Sequence, residues 1–127
     1  SEILISTLEA VKNSYNSYTM DSLALAVGEA SIRDEAYFRE TCRKVAATRD
    51  RAADELRALG FEVTPSLTNF LFATHPKKAA PEIFFALREK GIFIRYFKLP
   101  RIDNHLRITV GTDEQMDALI AALKQIL

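Results

Sequence analysis

The 127-residue chain is 48% hydrophobic and 27% charged, a composition typical of one globular domain with a single core. Seventeen Lys and Arg residues balance seventeen Asp and Glu residues, which excludes a chain-wide electrostatic attraction to nucleic acids or anionic membranes. A single cysteine excludes an internal disulfide, and no apolar run approaches the roughly 20 residues that span a bilayer, so we expect a cytoplasmic protein.

Two helices are predicted in the first 33 residues. Residues 2–12 carry apolar side chains at helical spacing, but no recognisable capping residue precedes them, and the pattern stops at the polar run 13–19. Residues 20–30 leave few polar positions, so we expect a short second helix whose surface is well buried.

The clearest helix is predicted for residues 34–59, where apolar side chains recur at steps of three, four and seven. Asp34 is suited to cap its first turn, and Gly60 is suited to end its last. Cys42 lies on the apolar stripe of this helix, which favours a buried structural thiol over a reactive nucleophile.

The middle of the chain predicts two paired strands and another helix. Residues 61–64 and 68–73 have the length and composition of strands, and the short turn between them favours their pairing. Pro81 suits the first turn of the helix that follows, and Gly91 suits its end.

Two more strands and a helix complete the pattern. Residues 92–97 and 106–110 are predicted strands, and a capping-box pattern at Thr112 begins a final helix whose apolar residues share one face. The order of these elements implies an α+β fold in which a small sheet of about four strands is covered by helices on one face.

Two arginines stand out because each lies in a strand that is otherwise mostly apolar. Arg95 lies in residues 92–97, and Arg107 alternates with apolar side chains in residues 106–110. A guanidinium binds carboxylate or phosphate through two parallel hydrogen bonds, so such a pair on neighbouring strands would form an anion clamp. Strand alternation alone favours a simpler interpretation, in which each arginine points to solvent from the polar face of a half-covered sheet.

Other reactive residue types show no pattern of a catalytic or metal site. His75 and His105 lack Cys, Asp or Glu neighbours at metal-ligand spacing, which is typical of ordinary loop histidines. The seven lysines fall mostly on predicted helix surfaces and turns, whereas a Schiff-base lysine needs a desolvated site. We therefore predict no metal site, no catalytic residue and no cofactor-binding residue in this chain.

Several motifs resemble those of one enzyme family. Residues 106–112, with the sequence Leu-Arg-Ile-Thr-Val-Gly-Thr, are similar to the C-terminal signature of histidinol-phosphate aminotransferases, a branch of the fold-type I pyridoxal-phosphate enzymes. The likeness extends over nearly the whole chain, through residues 11–16, 34–39, 68–71 and 94–102.

The resemblance implies a role for each arginine. In that family the arginine of the last strand binds the acidic group of the substrate, and the arginine of the preceding strand helps to hold the phosphate. These positions are Arg107 and Arg95 here. The lysine that binds the cofactor, pyridoxal phosphate, lies upstream of the matched part. Residues 1–33 would then be helices that follow the cofactor-binding large domain, and residues 34–127 would be the C-terminal small domain that anchors the substrate.

The resemblance also implies an activity. The full-length enzyme would transfer an amino group between histidinol phosphate and 2-oxoglutarate, giving imidazole acetol phosphate and glutamate, in histidine biosynthesis, and it would be a homodimer. This chain would be a fragment that lacks the Schiff-base lysine and is inactive alone. Related aromatic aminotransferases and pyridoxal-phosphate decarboxylases of the same family remain alternatives. So do an ACT-like domain whose two arginines bind an effector carboxylate, and a structural interaction module.

Overall fold

A computed structural model describes residues 1–127 as five helices and one four-stranded sheet. Residues 1–38 and residues 39–127 form two compact units. None of the helices is both long enough and apolar enough to cross a membrane. In chain order the elements are α1 (Glu2–Tyr15), α2 (Ser22–Arg33), α3 (Glu35–Ala58), β1 (Glu62–Val63), β2 (Phe70–Thr74), α4 (Ala80–Glu89), β3 (Arg95–Tyr96), β4 (Leu106–Thr109) and α5 (Asp113–Ile126).

The first unit contains α1 and α2, and neither helix buries a side chain. Ser1 accepts a hydrogen bond from the backbone N–H of Leu4 at 3.4 Å, so α1 has a capping residue that the sequence pattern did not reveal. The expectation of a well-buried second helix is wrong, because Leu23 is 72% exposed and Leu25 is 57% exposed. An apolar face shows that a helix can be buried, but it does not show whether another part of the chain packs against it.

The long predicted helix is confirmed as α3. The Asp34 side chain accepts a hydrogen bond from a backbone N–H three residues further on, and Gly60 follows the helix with a φ of +90°. The apolar stripe is buried only in the second half, where Ala52 and Leu56 are fully covered. Cys42 lies in the first half and is exposed, so the prediction of a buried thiol is wrong. The apolar stripe identifies which side of a helix can be buried. It does not identify which turns of that helix pack against the core.

The sheet has the strand order β1-β2-β4-β3, and every neighbouring pair is antiparallel. The predicted pairing of the first two strands is confirmed, in a register that places Val63 beside Ala73. β3 is shorter than predicted, because only Arg95 and Tyr96 pair with β4. The last strand in sequence therefore lies inside the sheet, between β2 and β3.

Side chains of the sheet alternate between a covered face and an uncovered one. Leu71 and Ala73 of β2 and Leu106 and Ile108 of β4 are buried in one core with residues of α3, α4 and α5. The predicted α+β fold, with helices over one face of the sheet, is thereby confirmed. We call the other side of the sheet the open face; on β2 and β4 it carries Phe70, Phe72, Thr74, Arg107 and Thr109.

Two side-chain caps tie the ends of β4 to the helices. Ala79, the residue before α4, supplies no side-chain cap. Asn104, just before β4, takes that role by accepting a hydrogen bond from the Ala80 N–H at 2.9 Å. After β4, Thr112 and Gln115 form the predicted capping box of α5. The position of β4 is therefore set from both ends, which fixes the strand that carries Arg107.

Candidate anion-binding site

Arg95 and Arg107 lie directly opposite each other on the open face. They are Cα partners in the antiparallel pair of β3 and β4, so both side chains project from the same side of the sheet. Two like charges opposite each other destabilise a strand pair when nothing compensates them. The structure thus brings together the two residues that the sequence predicts as the site.

The Arg107 side chain is half-buried between two aromatic rings. Its guanidinium carbon Cζ lies 4.5 Å from the ring centroid of Phe70 and 5.4 Å from that of Phe97. Its Nε atom is buried without a hydrogen-bond partner, so an incoming anion reaches the terminal Nη1 and Nη2 atoms instead. Arg107 therefore presents the end of its planar fork to a ligand rather than the side.

Arg95 is exposed, and its Cζ lies 5.3 Å from the centroid of the same Phe97 ring. Neither guanidinium is paired with a carboxylate, whereas Arg51 elsewhere in the chain pairs with Asp113 and other acidic groups. Two cations that share one ring and have no counter-charge create a local positive potential. This arrangement favours the binding of an anion at the open face.

His105 also belongs to the open face, which the sequence reasoning missed. Its ring stacks on Phe72 with centroids 4.7 Å apart and an interplanar angle of 9°, and its Nδ1 atom is buried without a partner. The signal was present in the sequence, because residues two apart in a strand point to the same side and His105 precedes Arg107 by two. The uncharged part of the open face is thus mainly aromatic.

His75 lies in the loop directly after β2, as the sequence predicts, but it is buried. Its ring meets Phe61 edge to face at 5.0 Å, and its Nδ1 atom accepts a hydrogen bond from the backbone N–H of Lys77 at 3.3 Å. His75 continues the alternation of the buried residues of β2, which places it on the covered side of the sheet. No group of His, Cys, Asp or Glu side chains could hold a metal ion.

The lysines offer no site for the aldehyde of pyridoxal phosphate. None of the seven is buried, and Lys78, the one that is half-buried, donates its ammonium to the carbonyl oxygen of Ile126. A Schiff-base lysine requires a desolvated amine that can lose its proton. None of the seven lysines of this chain meets that requirement.

A separate charged cluster joins α3 to the start of α5. Arg51 donates hydrogen bonds to Asp113 at 2.9 Å and to Asp117 at 2.7 Å, and the Thr48 hydroxyl donates to the same Asp113 oxygen at 2.8 Å. The hydrogen bond from Arg51, followed by that from Thr48, lowers the pKa of Asp113. Its carboxylate partners, Asp113 first, raise the pKa of Arg51. These charges are internally satisfied, unlike those of the open face.

A sequence profile described as aminotransferase class I and II matches residues 1–123. The chain belongs to this aminotransferase family. The match covers both compact units, including the strands that carry Arg95 and Arg107. This match supports the aminotransferase interpretation over the alternative of a small ACT-like effector-binding domain.

Curated relatives of this aminotransferase chain include histidinol-phosphate aminotransferases. That of Marinomonas sp. (strain MWYL1) is 54% identical over 95% of the chain, and histidinol-phosphate aminotransferase 2 of Dechloromonas aromatica (strain RCB) is 55% identical over 97%. The chain spans 35% of the length of each of these relatives. Among solved structures, the histidinol-phosphate aminotransferase from Sinorhizobium meliloti in complex with pyridoxal-5'-phosphate superimposes with a TM-score of 0.79 at 31% identity, covering 95% of this chain and 34% of that one.

Proposed function

We propose that this chain is the substrate-anchoring part of a pyridoxal-phosphate-dependent aminotransferase of histidine biosynthesis. The whole enzyme would transfer an amino group between histidinol phosphate and 2-oxoglutarate, in the cytoplasm. The similarity to relatives named as histidinol-phosphate aminotransferases supports this substrate pair. The family profile that matches residues 1–123 supports the aminotransferase reaction. Pyridoxal phosphate, held by residues outside this chain, would supply the stabilisation of negative charge on the reacting carbon.

The observation that carries the proposal is the pair of unpaired guanidiniums opposite each other on the open face. Arg107 would bind the phosphate of histidinol phosphate or the carboxylate of glutamate by donating hydrogen bonds, since both anions fit the end of its fork. Arg95 lies on the neighbouring strand and would add a second cation for the phosphate. Fixing the anion in this way would orient the distant amino group of the substrate. Holding that group in the reactive geometry would accelerate the transfer of the amino group.

The test is the Arg107→Ala variant in the full-length enzyme. Since both substrates would dock an anion on this guanidinium, we expect kcat/KM for histidinol phosphate and for glutamate to fall together by about ten- to hundredfold. Arg88→Ala is the matched control, because it removes the same charge from an exposed position of α4. Unchanged kinetics for both substrates would refute the assignment.

The quaternary structure is a second part of the proposal. Fold-type I enzymes build their active sites at a subunit interface, so we expect the full-length protein to be a two-fold homodimer. Sedimentation of the full-length protein measures this directly. A fully active monomer would contradict it, without affecting the role proposed for Arg107.

A further inference from the structure

We propose that Phe97 is a positioning residue that holds Arg95 and Arg107 around one anion and so makes the site selective for a phosphate monoester over a carboxylate. This inference rests on the proposed function, because it assigns the two arginines to substrate binding. It adds a residue that would not touch the substrate itself. Two features of the open face and one feature of the ligands support it.

The first feature is that one ring serves both cations. Phe97 lies directly after β3, two residues beyond Arg95, and its ring lies close to both guanidiniums on the open face. The two Cζ atoms lie 5.3 and 5.4 Å from its centroid. A negative ring face attracts both guanidiniums, which reduces the cost of keeping two like charges as neighbours.

The second feature is an asymmetry between the two arginines. Arg107 is held by Phe70 as well, at the shorter distance of 4.5 Å, and it is half-buried. Arg95 is exposed, has no ion pair, and contacts Phe97 as its single ring partner. Loss of the Phe97 ring would therefore leave Arg107 largely in place and release Arg95.

The third feature is the difference between the two anions. A carboxylate has two oxygens, and the end of one guanidinium fork occupies both. A phosphate monoester carries up to two negative charges on three terminal oxygens, so it can accept hydrogen bonds from two guanidiniums at once. A carboxylate needs only Arg107, whereas a phosphate monoester gains from Arg95 if that side chain is already in position. Preorganisation by Phe97 therefore favours the phosphate.

The test compares Phe97→Leu and Phe97→Tyr in the full-length enzyme. For Phe97→Leu we expect kcat/KM for histidinol phosphate to fall about three- to tenfold, mainly through KM, and that for glutamate to change less than about twofold. Phe97→Tyr keeps the ring face and should restore the native ratio of the two values. Phe85→Leu is the matched control, because this exposed ring lies on α4 and contacts Phe84 rather than a guanidinium.

A direct binding measurement uses the 127-residue chain with inorganic phosphate and acetate as probes. NMR signals of the arginine Nε–H groups report each titration. We expect Phe97→Leu to weaken phosphate binding about three- to tenfold and to leave acetate binding within about twofold. Equal weakening of both anions, or none, would overturn the role of Phe97.

The two proposals fail in different ways. If Arg107→Ala leaves both substrates unaffected, the anion site itself is refuted. If Arg107→Ala impairs both substrates while Phe97→Leu behaves as Phe85→Leu, only the positioning role is refuted. A uniform loss in Phe97→Leu that Phe97→Tyr does not restore would assign Phe97 to general packing and would also overturn the inference.

Discussion

Arg95 and Arg107 carry the same charge, yet their surroundings give them different properties. Arg107 is stacked on two rings with a buried Nε, which restricts the directions from which an anion approaches. Arg95 is exposed, and its contact is with the Phe97 ring that it shares with Arg107. At the scale of single residues, we therefore propose that Arg107 would bind either anion and that Arg95 would discriminate between them.

This difference predicts a selective effect of Arg95→Ala in the full-length enzyme. Since the expected partner of Arg95 is the phosphate, kcat/KM for histidinol phosphate should fall by about tenfold or more, and that for glutamate by much less. Steady-state kinetics with each substrate check this, with Arg88→Ala as the charge-matched control. Equal losses for both substrates would show that Arg95 acts on the carboxylate or on the fold.

At the scale of elements, contacts with neighbouring helices hold β4 and α5 in place. Asn104 caps α4 from the loop before β4, and the capping box at Thr112 begins α5 directly after it. Arg51 and Thr48 of α3 then bind Asp113 in the first turn of α5. These contacts connect three helices to one strand, so changes in them should affect the stability of the domain before they affect the anion site.

The lowered pKa of Asp113 predicts a pH dependence of stability. A carboxylate whose pKa is lower in the folded state than in the unfolded state stabilises the fold above the unfolded pKa, which is about 3.9. That contribution is lost as the pH falls below about 4 through the folded value. Asp113→Asn should therefore lose less stability than the native chain between about pH 5 and about pH 2.

Urea unfolding across this pH range measures the effect. Asp103→Asn is the control, because Asp103 is an exposed aspartate without an ion pair. The side chain of Asp113 is 66% exposed, so high salt should reduce the difference between Asp113→Asn and the native chain. The interpretation fails if Asp113→Asn and the native chain lose stability in parallel as the pH falls.

At the scale of the whole molecule, the two compact units differ in their share of the core. Every buried side chain lies in residues 39–127, whereas apolar side chains of residues 1–38 are exposed, such as Ile3 at 77% and Ile32 at 81%. Helices of this length are marginally stable in water without tertiary packing. The second unit should therefore account for most of the stability of the chain.

Hydrogen exchange provides the measurement, and the chain contains its own control. α1 and α5 are both 14 residues long, but α1 buries no side chain and α5 buries five. We expect the amides of α1 to exchange close to the unprotected rate and those of α5 to be protected by at least about a hundredfold more. Similar protection of the two helices would show that α1 is stabilised in a way that its burial does not indicate.

Much of this fold could be predicted from the sequence because the relevant interactions are local. Asp34, Gly60 and Thr112 mark helix ends through contacts within a few residues of themselves, and alternation identified Arg107 as the polar position of its strand. The aminotransferase family could also be predicted, because the motif at residues 106–112 is continuous in the chain. Local spacing was sufficient for the helix ends and for the strand position, whereas the family was predicted from the resemblance of the motif.

The remaining features depended on residues that are distant in sequence. The patterns of α2 and Cys42 predicted burial, but no surface covers them, while His75 is covered by a ring that its own neighbours do not supply. The register that sets Arg95 opposite Arg107 comes from strand pairing, and the Phe97 ring that both guanidiniums share lies just beyond β3. A sequence pattern specifies which side chains can share a face. Only the tertiary structure decides which distant surface meets that face, because burial and charge pairing are properties of two surfaces together.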